Sequence, residues 1–156
     1  MTGMDVLRRV RSYEKDMEKL KLRRLCAHDA MTRCTRSADM TGHGGNEDKM
    51  SLYASRVDAI ERAMEARRQM YDMEMEEAFS LIDALSEPAQ GAAMYRGWIC
   101  GLTVRQTAAE LKTSESGVRG LRRRGRDILD SIDTRLDENR RYKGLEEVYF
   151  KVKYAH

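Results

Sequence analysis

At 156 residues the chain is long enough for one domain's core plus an extended element. With 35% charged and only 6% aromatic residues, it lacks the make-up of a β-sandwich or barrel and has that of long, surface-rich helices. The net charge of +3 excludes a global polycation, so any basic excess must be local.

A single proline agrees with a helical chain. Cys26, Cys34 and Cys100 contain no CxxC pair and form no recognised zinc spacing with the three histidines, so neither a metal nor a cofactor is expected. Cys26 and Cys34 read as small core residues of a helix. The N-terminal MTGMDVLRRVRSYEKD has no apolar core, and no apolar run approaches bilayer length, so the expectation is a reduced cytoplasmic protein without membrane contact.

Residues 4–38 read as one long helix. Val6, Val10, Tyr13, Met17 and Leu20 alternate steps of four and three, which is a heptad seam. Arg24 interrupts it, and Leu25, Ala27, Met31 and Cys34 resume it. Three glycines in 42–45 cost too much backbone entropy for a helix, so 41–46 is expected to be a flexible hairpin loop, with His43 as a solvent residue. A second long helix spans about 49–86. Its seam runs through Tyr53, Val57, Ile60, Met64, Arg67, Tyr71, Ala78, Ile82 and Leu85, with an interruption around 73–75. Met64, Met70, Met73 and Met75 are core filler in this reading. Matched lengths and facing seams predict an antiparallel, coiled-coil-like hairpin over 1–86.

Glu87-Pro88 punctuates the chain, since proline suits a first helical turn and disfavours helix before it. A helix from Pro88 to Cys100 follows, with Trp98 expected at the centre of a three-helix core. Residues 102–132 then read as helix, tight turn and helix. Thr103 caps the first, about 104–111, and Gly101 precedes it where the chain reverses. Lys112-Thr113 makes the turn. Ser114 caps the second, with Glu115 at the positive end of the dipole. Val118, Leu121, Gly125, Ile128 and Ile132 form its inward stripe, while Glu115, Arg119, Arg122 and Arg126 form an outward ridge flanked by Ser116 and Arg123. From 112 to 126 there are six Lys/Arg and one Glu. A capped basic helix behind a short helix and turn is the pattern of a helix-turn-helix reader, whose arginines neutralise phosphates and reach base edges in a major groove. The second helix is compatible with extension to about 141. The last stretch, LEEVYFKVKYAH, alternates Val148, Phe150, Val152 and Tyr154 at strand periodicity; with no partner edge in the chain, it is expected to pair with another copy, lie against the hairpin or form a basic tail over 143–156.

The segment WICGLTVRQTAAELKTSESGVRGLRRRGRDIL resembles region 4 of bacterial sigma factors, and more closely the sigma-like phage late-gene regulators of the ArpU/RinA type. Trp98 takes the tyrosine position of their Arg-Tyr pair and Gly101-Leu102-Thr103 their Gly-x-Ser turn. Thr107-Ala108 takes the Ile-Ala pair, Ser114 the cap and Val118 the recognition-helix anchor. Gly97 stands where arginine is usual, Thr107 where isoleucine is usual, and Gly120 and Gly125 lower helix propensity by up to about 1 kcal/mol each. The long hairpin with a glycine-rich loop is similar to these regulators in layout.

The resemblance implies an all-α chain with a helix-turn-helix domain over 87–142. It further implies a non-enzymatic, sequence-specific transcriptional regulator, phage- or prophage-encoded, that reads double-stranded promoter DNA with the helix 115–132. Glu115, Ser116, Arg119 and Gly120 would face bases, and Lys112, Arg122, Arg123 and Arg126 would grip phosphates. Thr103, Arg105, Thr113 and Ser114 complete the expected DNA-binding set. The hairpin would contact RNA polymerase or form a homodimer. A small terminase-like packaging subunit, or a helical interaction module without DNA, are the competing classes. Asp127, Asp130 and Asp133 read as balancing nearby arginines. No phosphate loop, nucleophile elbow or converging carboxylate pair argues for catalysis.

Overall fold

The structure, a computed structural model, describes residues 1–41 and 46–155; the glycine-rich stretch expected as a loop lies outside the described residues. Among the described residues the regular elements are helical. They are α1 (Gly3–Thr41), α2 (Asn46–Asp83), α3 (Pro88–Met94), α4 (Val104–Leu111), α5 (Glu115–Asp130) and α6 (Arg140–Lys153). A π-helical turn covers Tyr95–Ile99 and a 3-10 turn Arg135–Glu138. No helix among the described residues is long and apolar enough to cross a membrane. Contacts group the chain into two units, Met1–Tyr13 with Met70–Lys143, and Glu14–Gln69 with the stretch from Gly144.

In the first unit, α1 starts because Thr2 and Asp5 close a reciprocal cap. The Asp5 N–H donates to Thr2 Oγ1 at 3.3 Å, and the Thr2 N–H donates to Asp5 Oδ2 at 2.9 Å. The chain just before and within its first turn is tied to the segment after α5. Gly3 N–H donates to the Ile132 carbonyl at 2.8 Å and Thr134 N–H to the Met1 carbonyl at 3.1 Å. A side chain at Gly3 would stand 2.9 Å from the Leu129 carbonyl oxygen. Met4, Val6, Leu7, Met70, Ala78, Leu81, Met94, Val118 and Leu129 fill the core.

The seam of α2 does not stop at 73–75. Glu74 sits on it, fully buried, because the Tyr142 hydroxyl on α6 donates to its Oε1 at 2.7 Å. Arg9 of α1 in turn donates to the Tyr142 oxygen and lies 5.8 Å from the ring centroid. An arginine, a tyrosine hydroxyl and a carboxylate thus satisfy one another where an unpaired charge would be costly. Burial first, and Glu74 second, push the Tyr142 hydroxyl far above its ordinary range.

The second unit repeats the device with the signs exchanged. Arg67 of α2, 1% exposed, reaches Asp16 of α1 at 3.2 Å. Tyr149 of α6 takes the third place, with Arg67 5.7 Å from its ring centroid, and burial followed by Asp16 pushes its hydroxyl up to about 12. Met17, Leu20, Val57, Ile60, Ala63 and Met64 supply the apolar packing.

Three expectations are corrected here. The segment from Leu145 is helix α6, neither strand nor tail, and it runs through Gly144. Tyr142 and Tyr149, seven residues apart, are both buried, whereas Val148 and Tyr154, half of the apparent alternation, are exposed. Arg23 completes the helix end by donating to the carbonyls of Val152 at 2.6 Å and Lys153 at 3.1 Å. The α5 helix does not extend to 141, since Thr134 opens a separate 3-10 turn by accepting from Leu136 N–H. Cys26 is exposed and Cys34 only half-buried, and Leu25 is 57% exposed, because the seam of α1 narrows beyond Leu20 to Ala27.

Candidate nucleic-acid interface

The segment 95–117 turns twice, and each turn follows from local chemistry. The π-helical turn closes with Cys100 N–H donating to the Tyr95 carbonyl at 3.1 Å, and Leu102 N–H then reaches the Arg96 carbonyl at 2.9 Å. That closure needs Gly101 at φ +71°, a conformation side-chain-bearing residues avoid. Thr103 caps α4 reciprocally: its Oγ1 accepts from Gln106 N–H at 3.1 Å, and Gln106 Oε1 accepts from Thr103 N–H at 2.9 Å. At the far end Lys112 adopts φ +53°, and its N–H and that of Thr113 converge on the Ala108 carbonyl. Ser114 Oγ then accepts from Gly117 N–H at 3.0 Å and starts α5.

The buried edge of α5 is Val118, Gly125 and Leu129, with Arg122 half-buried on the same stripe. This stripe is rotated from the expected one. Leu129 is fully buried, while Ile128 is 37% exposed. Gly125 is needed for close approach, because a Cβ there would stand 2.8 Å from Met94 Cγ. Trp98 is half-buried rather than the core's centre, a place held by Ala93, Met94 and Val118.

Arg122 faces inward in place of joining the outward ridge. Its guanidinium donates to Thr107 Oγ1 at 2.7 Å, to the Leu102 carbonyl at 3.2 Å and to the Ala93 carbonyl at 3.4 Å. It lies over Gly97, where a Cβ would stand 2.7 Å from Cζ. Gly97 and Thr107 are two positions at which the chain departs from the pattern it resembles, and one arginine accounts for both. Glycine clears the slot, and threonine supplies a buried acceptor where isoleucine could not. Burial first and Arg11 second hold the Arg122 guanidinium below its ordinary value.

The other expected residues are all on the surface. Thr103, Arg105, Lys112, Thr113, Ser114, Glu115, Ser116, Arg119, Arg123 and Arg126 are exposed. Arg119 pairs with Glu115 at 3.5 Å along the helix, a contact between half-exposed or more exposed groups that water and salt readily loosen. Arg124 is 4.0 Å from Glu87, and Arg96 binds Glu110 at 2.7 Å across to α4. Arg126 lies 6.0 Å from the Trp98 ring centroid and Arg11 of α1 lies 5.0 Å from it. Arg11 escapes a reading of the sequence, since nothing local in α1 connects it to a tryptophan some ninety positions on. Among the described residues no group of three or more His, Cys, Asp and Glu side chains could hold a metal ion. Comparison with known proteins found no family model, no curated protein and no solved structure that matches the chain.

What this surface can do chemically follows from its parts. The first turn of α5 offers Glu115 and Ser116 behind the Ser114 cap, and Arg119 follows one turn on. Cations at 105, 112, 123 and 126 flank them. The chemistry of such a face is compatible with a polyanionic ligand.

Proposed function

We propose that the chain is a sequence-specific DNA-binding transcriptional regulator that inserts the start of α5 into the major groove of promoter DNA. In this reading α4 and α5 are a helix-turn-helix similar to sigma region 4 of phage late-gene regulators, and α1 and α2 form an antiparallel hairpin that carries dimer or polymerase contacts. The observation that carries it is the Ser114-capped α5, with Val118, Arg122, Gly125 and Leu129 turned inward and Glu115, Ser116, Arg119 and Arg123 turned out. The pairings Asp16–Arg67 and Thr35–Met50, whose numbers run in opposite senses, support the hairpin.

Arg119 reads a base edge; Arg123, Arg126 and Lys112 grip phosphates, with Arg105 and Thr113 beside them. Arg122 instead holds the helix in place. Selection of bound duplexes from a random pool tests the reading. Against the selected sequence, Arg119→Ala should cost about 1–3 kcal/mol and relax one base position, while Arg123→Ala should weaken all sequences alike and lower the salt slope by about one. Equal loss on every duplex by the Arg119 variant rejects base reading, and no salt-dependent binding at all rejects the function.

A further inference from the structure

Arg11 and Arg126 both approach the ring of Trp98, at 5.0 and 6.0 Å, and the described ion pairs include neither of them. Arg11 also lies near enough to Arg122 for their charges to repel. Positive charge is thus gathered from α1 and α5 at one indole with neither guanidinium in a described ion pair, an arrangement that an arriving anion would relieve. An arginine stacked on a ring face keeps its in-plane N–H groups free, and those groups match the oxygens of a phosphate. Trp98 itself is half-buried, so the platform is fixed by the fold while both guanidinium groups stay exposed. The Arg119–Glu115 and Arg124–Glu87 pairs show that neighbouring α5 arginines do take carboxylate partners.

We propose that Arg11, Trp98 and Arg126 form a phosphate-binding station, at which α1 joins α5 on the backbone of bound duplex DNA. The station rests on the DNA-binding reading above and extends it to a helix outside the α4–α5 pair. Its ligand is a phosphodiester beside the groove that α5 enters, so it contributes affinity on any sequence and carries no base preference.

Trp98 is the sole tryptophan of the chain, so its emission reports directly on the station. The full chain is titrated with a selected duplex at several salt concentrations, following Trp98 fluorescence and affinity together. The parent protein should show an emission change on binding. Arg11→Gln should lose most of that change and lower the log–log salt slope by about 0.9, which narrows the affinity loss between 50 and 200 mM salt roughly threefold. Arg11→Lys should keep the slope, since a phosphate contact needs the charge. The exposed position of Arg11 leaves the melting temperature as a control that should not move. A parent protein that binds DNA, with Arg11→Gln giving the same slope and the same emission change, overturns the station and leaves the α5 reading standing. A parent protein that binds no duplex overturns both.

Discussion

Arg122 and Arg123 are neighbours in an unbroken arginine run, and they should fail in opposite ways. Arg122→Met removes a guanidinium that bonds the carbonyls of Ala93 and Leu102 and the hydroxyl of Thr107. Hydrogen bonds from a charged donor contribute about 1.5–3 kcal/mol each, and two of these are 3.2 Å or shorter. Against them stand the desolvation of the guanidinium and its repulsion by Arg11. Thr107 is fully buried and would lose its partner, so the net loss should be about 2–4 kcal/mol. At roughly 2–4 °C per kcal/mol for a chain of this size, the melting temperature should fall by about 4–16 °C.

Urea denaturation followed by far-ultraviolet circular dichroism gives the free energy, and a double-mutant cycle with Thr107→Val isolates the shared hydrogen bond. The coupling should be about 1 kcal/mol or more. Arg123→Met, at an exposed position, should stay within about 0.5 kcal/mol of the parent. Should Arg122→Met prove as stable as Arg123→Met, with zero coupling to Thr107, the inward role assigned to this arginine is wrong.

Gly125→Ala places a methyl 2.8 Å from Met94 Cγ in a fully buried site and should cost about 1–3 kcal/mol, part of which Met94→Ala restores in the same background; urea midpoints of the three variants check it. Ser114→Ala removes the cap of α5 and should cost about 0.5–2 kcal/mol, read as a loss of helical ellipticity and melting temperature. The Tyr149 hydroxyl is raised from 10.0 to about 12, so the folded chain keeps a proton that the unfolded chain releases. That stabilisation, at most about 3 kcal/mol, is intact below pH 10 and is lost as pH rises from 10 to 12. Stability of Tyr149→Phe measured across this window should therefore fall less steeply than that of the parent, and parallel curves would contradict the assignment.

The turns and starts around α4 and α5 were legible in the sequence because their causes are local. Thr103 and Ser114 cap the very helices they precede, and Gly101 supplies a dihedral its neighbours cannot. The facing of α5 was not legible to the same degree. Its apolar positions allow either Ile128 or Leu129 to be buried, and the choice depends on Gly125 meeting Met94, a contact made over thirty residues. Arg122 looks like any member of a solvated run until Gly97 and Thr107 are brought beside it. The same limit explains α6. An alternation of Val148, Phe150, Val152 and Tyr154 is stronger over seven residues than the spacing of Tyr142 and Tyr149. The partners that decide between them, Glu74 and Asp16, lie on other helices.

In the hairpin reading proposed above, those partners also bear on how the long helices meet. On α1 the paired charges are Arg9 and then Asp16, one heptad later. On α2 they are Arg67 and then Glu74, also one heptad apart. Arg9 belongs with Glu74 through Tyr142, and Asp16 with Arg67 beside Tyr149. An apolar seam alone tolerates a slip of one heptad, since leucine, valine and methionine fill one another's places at small cost. With the signs reversed between successive positions, the same slip would bury Arg67 against Arg9, or Glu74 against Asp16. Two like charges without a counterion in an apolar seam cost more than the slip could recover. The polar residues that interrupt the hydrophobic pattern are thus what makes its register single-valued.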